Sequence, residues 1–343
     1  MLVVYSPHQL QHAPQAFVSA GRSRRHPDVP ERAESLLRGL GSGRHDVVEP
    51  GDHGVRYARL VHTDRYLDFL GCAHAQWQQL RDPSSDVVPN VHPRRENAPY
   101  PAAIAGRAGY HLYDLACPIS AGTFVSVLWN SHSAAEAAIR VATGNLDCAY
   151  ALCRPPGHHA GADYAGGFCY LNNAAIAASV LREQYRRVGI LDVDVHHCNG
   201  TQDIFYDRAD VVVASLHGDP AGFYPFYWGY ADERGSGAGE GANLNIPLPR
   251  DTGDDAYLAA LDVALERIRI TGCEAVVVSL GFDAYERDPL SCLKITTRGF
   301  SQIARSIARL GLPTVLVQEG GYLCEDLGLN LAAFLDGFEQ GRL

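Results

Sequence analysis

Short apolar runs recur through the second half of the chain: Cys148 to Cys153, Val188 to Leu191, Val211 to Leu216, Leu244 to Ile246, Ala275 to Leu280 and Thr314 to Val317. They are rich in β-branched residues and bounded by turn residues, the pattern of strands buried on both faces. Stretches of helical period fall between them, at Ala174 to Tyr185, Asp254 to Ile270 and Thr297 to Leu310. The first half is less regular. Leu2 to Tyr5 predicts a first strand, Pro30 and Glu31 open a helix through Leu40, and helical patterning returns at 55–80 and from Ser131 to Thr143. Arg22 to Pro30 reads as a polar loop. Pro83 to Pro101 is proline-studded and without period, long for a plain connector. Alternation of strand and helix predicts an α/β fold around a parallel sheet.

Composition narrows this little but usefully. The chain has 343 residues, 46% of them hydrophobic, enough for one large core, and we read 1–343 as a single domain. A formal net charge of -10 argues against a nucleic-acid partner and favours cationic small molecules or basic peptides. Nine cysteines without paired spacing, and no charged-then-apolar leader before Leu2, predict a reduced, cytoplasmic protein with free thiols. No apolar run approaches the roughly 20 residues of a membrane helix. Lys294 is the only lysine, so Schiff-base chemistry has one poorly placed candidate.

Chemistry gathers where the strands end. Leu191 to Gly200 carries Asp192, Asp194 and His196 at alternate positions, which an extended backbone turns to one face. Other runs end at His158-His159, at Asp283 and at Tyr322. Parallel strands bring such ends to one rim, where open α/β sheets bind ligands. Two carboxylates and an imidazole converging there need a cation. Asp194, His196 and Asp283 offer a zinc ion three ligands and leave a position open for water, whose pKa would fall to about 7. Tyr322, on a Gly-Gly turn, is the candidate donor to a tetrahedral oxyanion. His158 and His159 are the candidate acid and base. Asp192 can support one of them and Asn199 the other. A carboxylate partner raises a histidine pKa more than an amide does, so we assign His159, supported by Asn199, as general base and His158 as its charged orienter.

Six motifs carry a resemblance: Arg-Pro-Pro-Gly-His-His from Arg154, Gly-Gly-Phe-Cys-Tyr-Leu-Asn-Asn from Gly166, Asp-Val-Asp-Val-His-His from Asp192, Asn-Gly-Thr-Gln from Asn199, Ser-Leu-His from Ser215 and Glu-Gly-Gly-Tyr from Glu319. Together they resemble the histone deacetylase superfamily over nearly the whole chain. The segment from about Pro83 to Gly122 and the Gly-Asp-Pro after His217 look most like the bacterial acetylpolyamine amidohydrolases. The resemblance implies an arginase-like three-layer fold with a mainly parallel sheet of about eight strands. It implies one Zn²⁺ per chain acting in deacetylation of a small acetylated amine, with Phe168, Tyr224 and Gly167 lining a narrow tunnel. It further implies a structural K⁺ near Asp192, Asp194, His196, Ser215 and Leu216, and a homodimer formed through the 83–122 insertion.

Departures from the pattern bear on substrate. Cys198 stands where the family commonly has glycine, and we read it as a small packed residue. Ala105 and Ala116 occupy the loop positions where the acetylpolyamine enzymes carry glutamates, leaving Glu96 or Asp114 as substitutes, or another acetylated amine, or acetyl-lysine, as substrate. Two other readings share the fold. A binuclear ureohydrolase would need further carboxylates where Cys198 and Tyr285 stand. A non-catalytic acetyl-amine sensor would be expected to lack one of His158, His159 and Tyr322, and all are present.

Overall fold

A computed structural model describes residues 1–41, 43–93 and 98–343 of the chain. Its strands are β1 (Leu2–Val4), β2 (Ala16–Ser19), β3 (Arg22–Arg25), β4 (Asp46–Val48), β5 (Cys148–Ala151), β6 (Val188–Asp192), β7 (Val211–Gly218), β8 (Asn243–Leu248), β9 (Ala275–Leu280) and β10 (Thr314–Gln318). Its α-helices are α1 (Glu31–Gly39), α2 (Asp64–Trp77), α3 (Ile104–His111), α4 (Thr123–Ala142), α5 (Asn173–Leu181), α6 (Asn199–Phe205), α7 (Asp254–Ile270), α8 (Thr297–Ala308) and α9 (Leu327–Arg342).

Eight strands form one sheet in the order β4-β1-β5-β10-β9-β6-β7-β8, and every pairing in it is parallel. The pleat divides their side chains between two cores. Ala149, Ala151, Val277 and Val315 face a layer built from α2, α4 and α5. Tyr150, Val276, Val278 and Leu316 face a layer built from α1, α7, α8 and α9. Helix, sheet and helix are thus the three layers. Every residue of β6, β7, β9 and β10 is buried, which explains why these strands read as continuous apolar runs instead of alternating ones.

Where elements exceed or escape the sequence pattern, buried polar groups and glycines are the cause. α4 begins at Thr123, not at Ser131, because its first turns bury Ser126 and Asn130 instead of apolar side chains. These are satisfied within the core: Ser126 Oγ donates to His8 O (2.9 Å) and Asn130 Nδ2 to Pro155 O (2.9 Å). α9 carries glycines that weaken its helical signature. Gly328 packs so closely on α1 that a Cβ would lie 2.7 Å from Ser35 O. The region around 55–80 yields α2 alone as α-helix, capped by Thr63, whose side chain accepts from Tyr66 N. His62 precedes it, buried, its Nε2 accepting from Asn172 N (2.9 Å), a packing role. Arg22 to Arg25, expected as loop, pairs antiparallel with β2 as a hairpin. Within the long insertion, 104–111 is helical.

Candidate active site

The central four strands of the sheet, β5, β10, β9 and β6, are neighbours, and their C-terminal ends deliver His158 and His159, Tyr322, Asp283, and Asp192 to His196 to one rim. Asp194, His196 and Asp283 offer ligand atoms that all lie within 4.8 Å of one another. Both carboxylates are fully buried. His196 Nδ1 lies 3.2 Å from Asp194 Oδ1 and 3.2 Å from Asp283 Oδ2. The outer oxygens are held by backbone: Gly320 N donates to Asp194 Oδ2 (2.8 Å) and Val195 N to Asp283 Oδ1 (3.0 Å). Asp283 Oδ2 accepts no hydrogen bond among the described residues. Burial and the adjacent Asp194 charge push the Asp283 carboxyl pKa up. A buried carboxylate oxygen without a donor, beside a second carboxylate and an imidazole nitrogen, fits a divalent cation and little else. Gly320 makes room for this convergence: a Cβ there would stand 2.0 Å from Asp283 Oδ2 and 2.5 Å from Asp194 Oδ2.

Two imidazoles stand next to the cluster, ring centroids 4.1 Å apart. His158 Nδ1 lies 3.0 Å from Asp192 Oδ2. Burial opposes its charge, but Asp194 and Asp192 together raise its pKa to about 10. His159 Nδ1 lies 2.7 Å from Asn199 Oδ1, an acceptor, which assigns the proton to Nδ1 and leaves Nε2 with a free lone pair. Burial, then the charges of His158 and His196, hold His159 well below its ordinary pKa. One imidazole is thus cationic and the other neutral, for reasons of environment.

Tyr322 sits on the turn after β10. Arg32, from α1, clamps that turn: its Nε donates to Gly321 O (2.5 Å), Nη2 to Glu319 O (2.8 Å), and its guanidinium carbon lies 4.7 Å from the Tyr322 ring centroid. Asp28 accepts from Arg32 (2.5 Å) and pairs with Arg154 (3.2 Å), all three buried. Asp288 Oδ2 accepts from Tyr322 N (2.6 Å). Burial outweighs the opposing Arg32 charge and keeps the Tyr322 hydroxyl protonated, a donor.

A cavity of about 310 Å³ opens onto these groups, with His159, His196 and Tyr322 at its inner end and Phe168 and Tyr224 among its walls. The Tyr224 ring stands perpendicular to His159, centroids 5.0 Å apart, and Phe168 packs edge-on against Tyr322 at 5.8 Å. Gly167 takes a φ of +54°, and a Cβ there would lie 2.4 Å from His159 Cδ2.

The remaining expected residues are distributed as follows. Ser215 pairs in register with Asp192, and Leu216 follows it on β7. Cys198 is buried, its thiol pKa raised by burial and then by Asp192. Tyr285 donates from its hydroxyl to Asp326 (2.8 Å). The ligand cluster therefore contains neither; the other group of converging donors among the described residues is His158, Cys169 and Glu319, which includes neither Cys198 nor Tyr285. Ala116 lines the cavity, Ala105 lies in α3, and Glu96 lies outside the described residues. Sequence reasoning missed Arg32, Asp28, Arg154 and Asp288. Their signal was present only as charged residues within stretches otherwise read as loop, helix start or turn.

The family profile described as histone deacetylase domain matches residues 26–338. The chain is 44% identical over 339 residues to the acetylpolyamine amidohydrolase of Burkholderia pseudomallei (strain 1710b), covering 98% of each. It is 44% identical over 344 residues to acetylpolyamine amidohydrolase 1 of Pseudomonas aeruginosa, covering 99% of each. A crystal structure of acetylpolyamine aminohydrolase from Burkholderia pseudomallei matches with a TM-score of 0.96 at 44% identity, covering 98% of both chains. The HDA15 HD domain matches with a TM-score of 0.81 at 28% identity, covering 99% of this chain and 90% of that one.

Proposed function

The chain belongs to the histone deacetylase family of metal-dependent deacetylases, and from that premise we propose that it uses one zinc ion to remove acetyl groups from small acetylated amines, acetylpolyamines first among them. The observation that carries the reading is the buried Asp194, His196 and Asp283 cluster with an unsatisfied carboxylate oxygen, set at the end of a cavity beside one neutral and one cationic imidazole. The three side chains would hold the zinc, which when bound supplies Lewis acidity to the amide carbonyl and a lowered pKa to attacking water.

The rest of the chemistry falls to the chain's own groups. His159, neutral and with Nε2 free, takes the proton of the attacking water and returns it to the departing amine. His158, held cationic by Asp192, keeps its neighbour neutral by repulsion. The protonated Tyr322 hydroxyl donates to the oxyanion that develops on the carbonyl oxygen. Phe168 and Tyr224 exclude water along the alkyl chain of the substrate.

Further parts of the reading concern the whole molecule. A structural K⁺ is proposed near Asp192, Asp194, His196, Ser215 and Leu216, where burial, and then the Asp194 charge beyond the His158 imidazolium, raises the Asp192 pKa. Residues 1–343 are proposed as one deacetylase domain that dimerises through 83–122. Nine free thiols support a reducing, cytoplasmic setting. No helix among the described residues is long and apolar enough to cross a membrane.

The test is turnover of acetylputrescine, acetylspermidine, an acetyl-lysine peptide and uncharged acetamides by the zinc-reconstituted protein. Release of acetate from the amines supports the reading. Absence of hydrolysis across the panel at stoichiometric zinc refutes it.

A further inference from the structure

His159 can act as a base at Nε2 only as the tautomer that carries its proton on Nδ1, and that tautomer requires Asn199 to present its amide oxygen. The same amide turned by 180° would present Nδ2 instead, forcing the imidazole proton onto Nε2 and removing the lone pair that takes a proton from water. The two orientations have nearly the same shape, so packing does not choose between them. The choice falls to whatever meets the other end of the amide.

Tyr164 is that group. Asn199 is fully buried, and its Nδ2 donates to the Tyr164 hydroxyl oxygen (3.5 Å), the one partner of that nitrogen among the described residues. A free hydroxyl could meet the amide as donor or as acceptor. Asp203 removes the first option: the Tyr164 hydroxyl donates to Asp203 Oδ2 at 2.5 Å, the length of a charge-assisted bond. A phenol has a single proton, so with that proton committed to a carboxylate only its lone pairs face Asn199. Burial, then the Asp203 charge, push the Tyr164 pKa up and keep the proton on the phenol. The fold holds these groups in line. Asn199 and Asp203 lie four residues apart on α6 and so share a face, which Tyr164 reaches from the loop after β5. Gly161 makes room for the ring, since a Cβ there would lie 2.2 Å from Tyr164 Cε1, and its N–H donates to Tyr164 O (3.1 Å). Gly200 lets the start of α6 meet the same loop: a Cβ there would lie 2.3 Å from Ala160 O, and Thr201 N donates to His158 O (3.1 Å).

We propose that Tyr164 is a positioning residue for the deacetylation, its hydroxyl oriented by Asp203 so that Asn199 turns its amide oxygen to His159 and fixes the tautomer that serves as base. The inference rests on the deacetylase reading above and adds the two groups that set the state of its base. Each member accepts from one neighbour and donates to the next, so the carboxylate at one end of the chain decides where the proton sits on the imidazole at the other.

The test reads the tautomer directly, by nitrogen-15 NMR of the zinc-loaded, histidine-labelled protein, with the His159 resonances assigned from a His159→Gln spectrum. Steady-state turnover of acetylputrescine is measured on the same preparations. The wild type is expected to carry the His159 proton on Nδ1. Tyr164→Phe removes the acceptor, and Asp203→Ala frees the phenol proton to turn toward Asn199, so both variants should gain the Nε2–H form. Their kcat should fall by roughly two- to tenfold, the net worth of one neutral hydrogen bond. Neither residue lines the cavity, so KM should hold. An unchanged Nδ1–H spectrum in Tyr164→Phe would overturn the proposal, even with a lower kcat, because a loosened loop would cost activity without moving the proton. A tautomer that shifts in Tyr164→Phe but not in Asp203→Ala would overturn the part given to Asp203. The spectrum needs no turnover, so absence of hydrolysis by the wild type would refute the deacetylase reading and leave the tautomer result to stand or fall by itself.

Discussion

Tyr322→Phe isolates the oxyanion donor, because the structure separates the hydroxyl from everything else the residue does. Among the described residues the hydroxyl makes no hydrogen bond, while the backbone N–H donates to Asp288 and the ring packs against Arg32 and Phe168. Phenylalanine keeps the ring, the turn and the 4.7 Å guanidinium contact. It also leaves no buried partner unsatisfied, so the folding cost should stay within about 0.5 kcal/mol, as for substitutions that break no named interaction. None of the three proposed ligands contacts the lost oxygen by hydrogen bond, so zinc content should remain stoichiometric. What disappears is one donor to the oxyanion, worth about 2.7–4 kcal/mol, or roughly 10²–10³ in kcat. Because that interaction strengthens in the transition state, kcat should carry the loss and KM should move little. The assay is steady-state turnover of acetylputrescine, with metal analysis and a thermal melt on the same preparation. A kcat close to wild type would remove Tyr322 from the chemistry. Loss of zinc or a collapsed melt would show that the hydroxyl serves the fold.

Other outcomes follow from the same geometry. Gly320→Ala should release zinc and abolish activity, because its Cβ would fall 2.0 Å from Asp283 Oδ2; full metal content in that variant would refute the cluster's role. Asp28→Ala would leave Arg32 and Arg154 buried without their carboxylate, and a loss of about 3–5 kcal/mol in a denaturant titration is expected. A loss under about 1 kcal/mol would mean the network is not a buried ion pair in energetic terms. His62 gives a pH signature. Burial lowers its pKa from 6.5 to about 4, and its Nε2 must stay unprotonated to accept from Asn172 N. Its neutral form therefore leaves stability intact above pH 6.5, and stability declines as pH falls toward 4, by up to about 3 kcal/mol. His62→Gln should flatten that part of the stability profile, and an unchanged slope between pH 6.5 and 4 would refute the assignment.

Much of the site was legible in the chain because its groups travel in short motifs at strand ends. Asp192, Asp194 and His196 lie close in sequence, although the extended backbone expected through all three stops at Asp192, where β6 ends. Beyond it the chain bends, with Asp194 N donating to Asp192 Oδ1 (3.1 Å) and His196 N to Asp194 Oδ1 (2.9 Å), so local turns place the last two. The His158-His159 pair and the Gly-Gly-Tyr turn are equally local. The hairpin and the start of α4 were not legible, since their pattern is exposed arginine in one case and buried serine and asparagine in the other. Periodicity reports apolar side chains and is blind to polar ones satisfied inside the core. The Arg32, Asp28 and Arg154 network was hidden for the same reason: nothing local marks a charge that will be buried against partners more than a hundred positions away.

The sequence by itself determined which side chains stand at each strand end, the layered α/β class, and the chemistry such a set can perform. Only the tertiary structure decided that β5, β10, β9 and β6 lie side by side, though the chain visits them in a different order. Strand adjacency depends on which crossovers bury the most apolar surface over the whole sheet, a sum that no single segment contains. The same holds for charge. Asp192 and Asn199 set His158 and His159 apart only once burial has removed the water that would have levelled them.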